Sequence, residues 1–218
     1  MQNAALALVL TVLTAAPSTA LASVADEADA TGSVMVIGDS HVERLGPMID
    51  RAVRESGRES LGYLARRGWS ASRYVREDDM AERLTENGRP DVVVISLGGN
   101  DRCRNRVIYE KQLRWVVDQA REAGATRIVW LGPAASDVAR SEQAQTVGEW
   151  HEHNAEWQSE ILPGLGVEWI DSRPMTQDGH AVDGIHFTVR AYRAWCEGAL
   201  AQARLLDGLV ADRTSAQV

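Results

Sequence analysis

The chain has 218 residues, 44% of them hydrophobic, and a formal net charge of −8. That length suits one domain with a substantial core, and the acidic balance excludes nucleic acid as the main partner, because phosphate binding needs clustered Lys and Arg. Seven Trp stand against one Phe, a skew that fits either large core residues or surfaces that stack on sugars.

Residues 1–22 read as a signal peptide. Ala4 to Ala16 is apolar and uncharged, and Ala20-Leu21-Ala22 supplies the small-x-small pattern that signal peptidase accepts, although Met1-Gln2-Asn3 offers no basic residue. The apolar stretch is too short for a membrane span. Cleavage is expected after Ala22, giving a secreted or periplasmic chain with no stable membrane insertion. A polar linker over 23–32 then leads into one domain over 33–210 and a flexible tail over 211–218.

From Ser33 onward, short β-branched runs alternate with stretches of helical period, the pattern of a parallel sheet covered on both faces. Strands are expected at Val34 to Ile37, Ser60 to Ala65, Val92 to Leu97, Arg127 to Leu131 and Val167 to Ile170. Between and after them, helices are expected at Val42 to Glu55, Asp78 to Glu86, Arg106 to Ala123, Glu142 to Leu162 and Thr188 to about Leu206. Leu113, Val116, Val117 and Ala120 share one face of the third helix and should pack on the sheet. Gly57, Gly88 and Gly124 are placed to end helices in the left-handed conformation. The expected fold is a three-layer α/β/α sandwich with a five-stranded parallel sheet in flavodoxin-like order.

Such sheets bind ligands beyond the carboxyl ends of their strands. Gly38-Asp39-Ser40-His41 follows the first strand and sets a hydroxyl at a strand-to-helix turn, near amides that would favour a developing oxyanion. Read alone, Asp39 and Ser40 equally well cap the helix. Gly98-Gly99-Asn100-Asp101 follows the third strand. Its glycines let the backbone approach a ligand and its Asn can donate a hydrogen bond, while an ordinary Gly-rich turn reads the same way. In Asp183-Gly184-Ile185-His186, three-residue spacing lets the carboxylate reach one imidazole nitrogen and leaves the other free to take a proton. Read alone, this is also an Asp-Gly turn followed by an unrelated His.

Taken together, the three segments resemble the SGNH hydrolase superfamily, the GDSL esterases and lipases, from about Val34 to Leu206. The resemblance implies Ser40 as nucleophile, Asp183 and His186 completing the triad, and an oxyanion hole from the Ser40 amide, the Asn100 side chain and a glycine amide. Gly68, in Arg67-Gly68-Trp69-Ser70, fits that glycine better than the nearby Gly62. The implied activity is hydrolysis of carboxylic esters through an acyl-enzyme, with no cofactor and no metal. The loop Pro133 to Gln145 is rich in Ala and Ser, which favours short acyl groups such as acetyl on a carbohydrate. No Gly-x-Ser-x-Gly elbow is present, which sets the chain apart from ordinary α/β-hydrolases.

Gly-Asp-Ser-His also resembles SGNH domains partnered with polysaccharide O-acyltransferases, so acyl transfer to a sugar hydroxyl is an alternative. A catalytically silent glycan-binding module, stacking sugars on Trp69, is another. His180 competes with His186 for the role of base. His151 and His153 lie two apart on a helix, point to different faces, and are expected on a solvated surface. Cys103 and Cys196 allow either a disulfide or two buried thiols. Oligomeric state is not legible.

Overall fold

The computed structural model describes residues 32–206. The expected signal peptide, all but the end of the linker, and the tail lie outside the described residues. The strands are β1 (Val34–Gly38), β2 (Ser60–Ala65), β3 (Val92–Ser96), β4 (Arg127–Leu131) and β5 (Glu168–Ile170). They form one parallel sheet in the order β2-β1-β3-β4-β5. This is the expected flavodoxin-like arrangement, and β1 and β3 are buried at every residue, as the central strands of a sheet covered on both faces must be.

The helices are α1 (Val42–Glu55), α2 (Ala71–Glu77), α3 (Met80–Leu84), α4 (Arg106–Ala123), α5 (Glu142–Ile161) and α6 (Val189–Gln202). Alternation along the strands divides the core in two. Val34, Val36, Val92 and Val94 pack with α1 and α6 on one face. Met35, Ile37, Val93 and Ile95 pack on the other face with α2, α3, α4 and the end of α5. Leu113, Val116, Val117 and Ala120 of α4 are fully buried there. Each larger side chain of this kind contributes roughly 1.5–3 kcal/mol of transfer free energy when removed from water.

Several boundaries move by a residue, the last helix ends at Gln202 and not near Leu206, and the second helix region departs most from expectation. The helix expected over Asp78 to Glu86 shrinks to α3, and a separate α2 precedes it, starting at Ser70, whose hydroxyl accepts from the Arg73 amide. Asp78, left-handed at φ 51°, closes α2 and breaks the run. Gly124 ends α4 at φ 124°, whereas Gly88 lies beyond α3, which ends at Leu84 and is capped by Thr85. Both cysteines are free. Cys103 packs against one core cluster and Cys196 belongs to the other, so the sheet stands between them.

The Trp content belongs to the interior. Trp69, Trp130 and Trp195 are buried, and the other four are half-buried. Trp69 lies edge-on to Tyr74 with Arg66 and Arg73 over its ring. It therefore offers no free face for a sugar, which corrects the stacking role considered for it.

Candidate active site

Ser40 leaves β1 at the carboxyl edge of the sheet. Gly38 is required there, because a Cβ would run into the Ser96 carbonyl oxygen and stand 2.6 Å from Val42 Cγ2. The turn is held by Asp39, whose Oδ1 accepts from the His41 amide at 3.0 Å and whose carbonyl accepts from the Val42 amide. Ser40 Oγ does not cap α1. It lies 3.0 Å from His186 Nε2.

The loop before α6 brings His186 to this hydroxyl. Asp183 Oδ1 accepts from the amides of Ile185 and His186, both at 3.0 Å, which fixes the turn. Its Oδ2 lies 2.6 Å from His186 Nδ1. Partial burial would raise the Asp183 carboxyl, but the His186 ring and the two amides outweigh it and bring the pKa down to about 2. The carboxylate is charged across the neutral range. His180, by contrast, is buried with Nε2 on the Ala135 carbonyl at 3.1 Å, and its ring packs on Phe187.

Ser40, Gly68, Asn100, Asp183 and His186 line one cleft of about 470 Å³, with Arg44 and Arg67 at its rim. Gly68 sits at φ 70° with open space where a Cβ would be, and Gly62 lies within β2. Among the described residues, neither the Ser40 amide nor the Gly68 amide donates to a protein acceptor. Asn100 is already engaged: its Nδ2 donates to Asp39 Oδ2 at 3.1 Å and to the Trp69 carbonyl at 3.2 Å. An oxyanion would share one of those hydrogens. Burial pushes the Asp39 carboxyl up to about 7, against the His41 amide and the Asn100 side chain, whose hydrogen bonds favour its charged form.

A larger groove of about 810 Å³ runs between α1 and α6, lined by Met48, Ala52, Cys196 and Leu200. It holds no nucleophile and base in contact, and burial pushes the Cys196 thiol up to about 11. The smaller cleft is the one in which a hydroxyl, an imidazole and a carboxylate are in contact.

His41, next to Ser40, is buried; Nδ1 lies 3.0 Å from the Tyr192 hydroxyl and the ring tilts against His186 at 5.3 Å. His151 corrects an expectation. It is buried at 1% exposure, not solvated, because α5 turns that face toward the site loops. Its Nδ1 lies 2.7 Å from the Ala134 carbonyl and its Nε2 3.2 Å from the Gly99 carbonyl, and burial brings its pKa down to about 4. Among the described residues, no group of three or more His, Cys, Asp or Glu is placed to hold a metal ion.

Sequence reasoning missed Asn154 and Gln158 on the same face of α5, and the cross-ties of Asp101. Asp101 Oδ1 accepts from the Ala71 amide at 2.8 Å and Oδ2 from the Tyr109 hydroxyl at 3.1 Å, so the Asn100 loop is bound to the start of α2. The signal for the first two was present: His151, Asn154 and Gln158 recur at helical spacing in line with Ala144, Val147, Ala155 and Ile161.

The chain matches the GDSL-like Lipase/Acylhydrolase family model over residues 36–194. No curated protein matches it. Among solved structures it is similar to LAE5, an alpha/beta hydrolase enzyme from the metagenome of Lake Arreo, Spain, at TM-score 0.64 and 15% identity, covering 82% of this chain and 98% of that one. It is also similar to Est24, a carbohydrate acetylesterase from Sinorhizobium meliloti, at TM-score 0.62 and 15% identity over 79% of this chain and 99% of that one. The native aryl esterase of M. smegmatis aligns at TM-score 0.59 and 16% identity, over 80% and 99% respectively. At such identities the structures show a shared fold, while the family match spans nearly the whole described domain: the chain belongs to the GDSL-like lipase/acylhydrolase family and is a carboxylic ester hydrolase.

Proposed function

We propose that the chain is a serine esterase that removes short acyl groups, such as O-acetyl from a carbohydrate, through an acyl-enzyme on Ser40. The observation that carries this reading is the unbroken relay Ser40 Oγ, His186 Nε2, His186 Nδ1, Asp183 Oδ2, with steps of 3.0 and 2.6 Å on either side of the ring. With Nδ1–H donating to the carboxylate, Nε2 presents its lone pair to the hydroxyl. Ser40 attacks the ester carbonyl as its proton passes to Nε2, and the carbonyl oxygen becomes an oxyanion facing the amides of Ser40 and Gly68 and the Asn100 side chain. His186 then returns the proton to the leaving alkoxide. Water, deprotonated by the same nitrogen, attacks the acyl-enzyme and regenerates Ser40.

Short acyl groups fit a cleft of about 470 Å³ in which most of the lining residues are polar or charged. Its two large aromatic residues, Phe187 and Tyr192, expose 6% and 2% of their surface, so little apolar wall is available for a long chain. A sugar alcohol suits the polar rim at Arg44 and Arg67, and one structural neighbour is a carbohydrate acetylesterase. Export after cleavage behind Ala22 would place the enzyme with extracellular or cell-wall glycans.

A chain-length series of nitrophenyl esters, measured beside acetylated glycans, tests the substrate. Acetate should turn over fastest and acetyl should be released from glycan; a rate that climbs to long chains refutes the short-acyl assignment. Product analysis with an added acceptor sugar separates water from a sugar hydroxyl as the second nucleophile. Labelling of Ser40 by a serine-directed phosphonate is expected, and its absence from folded protein would refute the acyl-enzyme.

A further inference from the structure

We propose that Asn154 of α5 is a positioning residue that holds the Asn100 amide in the oxyanion pocket. The inference rests on the esterase reading above, with Asn100 as an oxyanion donor. The segment Leu97 to Asp101 leaves β3 and forms no further strand, so its carbonyls need partners elsewhere. Trp130 Nε1 donates to the Leu97 carbonyl and Arg102 Nη1 to those of Gly99 and Asp101, and helix α5 supplies further donors. Asn154 Nδ2 donates to the Gly98 carbonyl at 2.7 Å and to the Asp101 carbonyl at 3.1 Å, the two residues on either side of Gly99-Asn100. Gln158 Nε2 donates to the Leu97 carbonyl at 3.1 Å, and His151 Nε2 lies on the Gly99 carbonyl.

Stoichiometry ranks these three. A neutral imidazole donates through one nitrogen only, and His151 has a carbonyl at each, so it secures one at a time. Gln158 gives its second hydrogen to the Tyr109 hydroxyl at 2.9 Å. Asn154 alone gives both hydrogens to the loop, and they bracket Asn100.

Burial shows that these donors are what the position is kept for. Asn154 and Gln158 have no exposure, and Asn154 Oδ1 and Gln158 Oε1 have no partner. An apolar side chain would avoid that desolvation cost, so what remains to justify an amide is its pair of N–H groups. The glycines fit the same account. At Gly98, with φ 127°, a Cβ would collide with Gln158 Nε2 and stand 2.7 Å from Pro133 Cγ; at Gly99 it would stand 3.0 Å from His151 Nε2. The Gly-Gly pair admits the polar face of α5, a close approach to a helix and not to a ligand.

A double-mutant cycle with nitrophenyl acetate tests this. Displacing an oxyanion donor by a fraction of its bond length lowers turnover without weakening ground-state binding, so Asn154→Ala should lower kcat about 10- to 100-fold with KM little changed. Because Asn154 acts through Asn100, the same substitution in an Asn100→Ala background should cost less than about 2-fold further. Equal losses in both backgrounds, or no loss in either, would overturn the proposal. Should the cavity left by alanine prevent folding, Asn154→Leu, close in shape, carries the same cycle. Full kcat in Asn100→Ala with an inactive Ser40→Ala would overturn both the oxyanion role of Asn100 and the proposal, leaving the esterase reading intact. Full kcat in Ser40→Ala would remove that reading itself.

Discussion

Replacing Asp183 with Asn should cost more activity than replacing it with Ala, although Asn is the closer mimic. The reason lies in what surrounds each carboxylate oxygen. Oδ1 accepts two backbone amides and Oδ2 faces one imidazole nitrogen. A carboxamide has one oxygen to place, and two donors outweigh one, so the oxygen stays on the amides of Ile185 and His186. The NH₂ group then points at Nδ1. It can only donate, so Nδ1 must offer its lone pair and the ring proton moves to Nε2, which faces Ser40 with a hydrogen and cannot take another. Such a tautomer reversal costs about 10⁴-fold in kcat, or roughly 5 kcal/mol of transition-state stabilisation. Alanine imposes no tautomer. Asp183 is 41% exposed, so water can enter and accept from Nδ1–H, and the loss should be nearer 10²–10³-fold, within the range of losing an orienting partner in acid–base catalysis. Steady-state kcat on nitrophenyl acetate at neutral pH, with unfolding curves to show that both variants are folded, decides it. Equal activities, or a higher kcat for Asp183→Asn than for Asp183→Ala, would refute the counting of donors.

Ser40→Ala should abolish hydrolysis and leave the unfolding free energy within about 0.5 kcal/mol of the parent, because a half-buried hydroxyl contributes little packing; denaturant titration and ester assay check both. His180→Ala should keep most of its kcat, since that ring faces the Ala135 carbonyl and not Ser40; a dead variant would make His180 the base. Gly98→Ala should destabilise the fold by about 1–3 kcal/mol through overpacking against Gln158 and Pro133, read by denaturant titration. Mass spectrometry of secreted protein should find an N-terminus near Ser23, and an intact Met1 on material retained in the cell would refute export. Asp39 and Asp101, raised by burial from 3.8 to about 7 and about 6, hold protons in the folded chain that the unfolded chain has released. These two carboxyls make stability fall as pH rises from about 4 to 7, while His151, lowered by burial from 6.5 to about 4, and His41, also lowered by burial, make it rise up to about 6.5; Asp101→Asn removes one falling contribution and should shift the slope between about pH 4 and 6 toward a rise.

Most of the sheet was legible because its signal is redundant. Val34-Met35-Val36-Ile37 and Val92-Val93-Val94-Ile95 are continuous apolar, mostly β-branched runs, which fit strands buried on both faces. The second helix region departs from expectation where redundancy fails. Seven residues of α2 and five of α3 carry too few turns for a periodic face, and their separation depends on Asp78 adopting a left-handed conformation that nothing local demands. The candidate catalytic segments were legible for another reason: each read alone is also a cap or a turn, and their joint resemblance to the SGNH hydrolases singled out Ser40, Asp183 and His186 before any packing was known.

The polar face of α5 was not legible because its meaning is a relation between distant segments. His151, Asn154 and Gln158 look like solvated residues until the helix is laid against Leu97 to Asp101, 52 to 61 positions earlier in the chain. Their spacing nevertheless held the contradiction, since residues in register with Ala144, Ala155 and Ile161 must share the fate of that face. A polar side chain on an apolar stripe is either an error of stability or a partner for backbone that has lost its own. Here the backbone concerned is the one that bears Asn100, so the cost of burying three polar groups falls where the proposed oxyanion pocket would need rigidity, and the glycines beside Asn100 are the other half of the same contact.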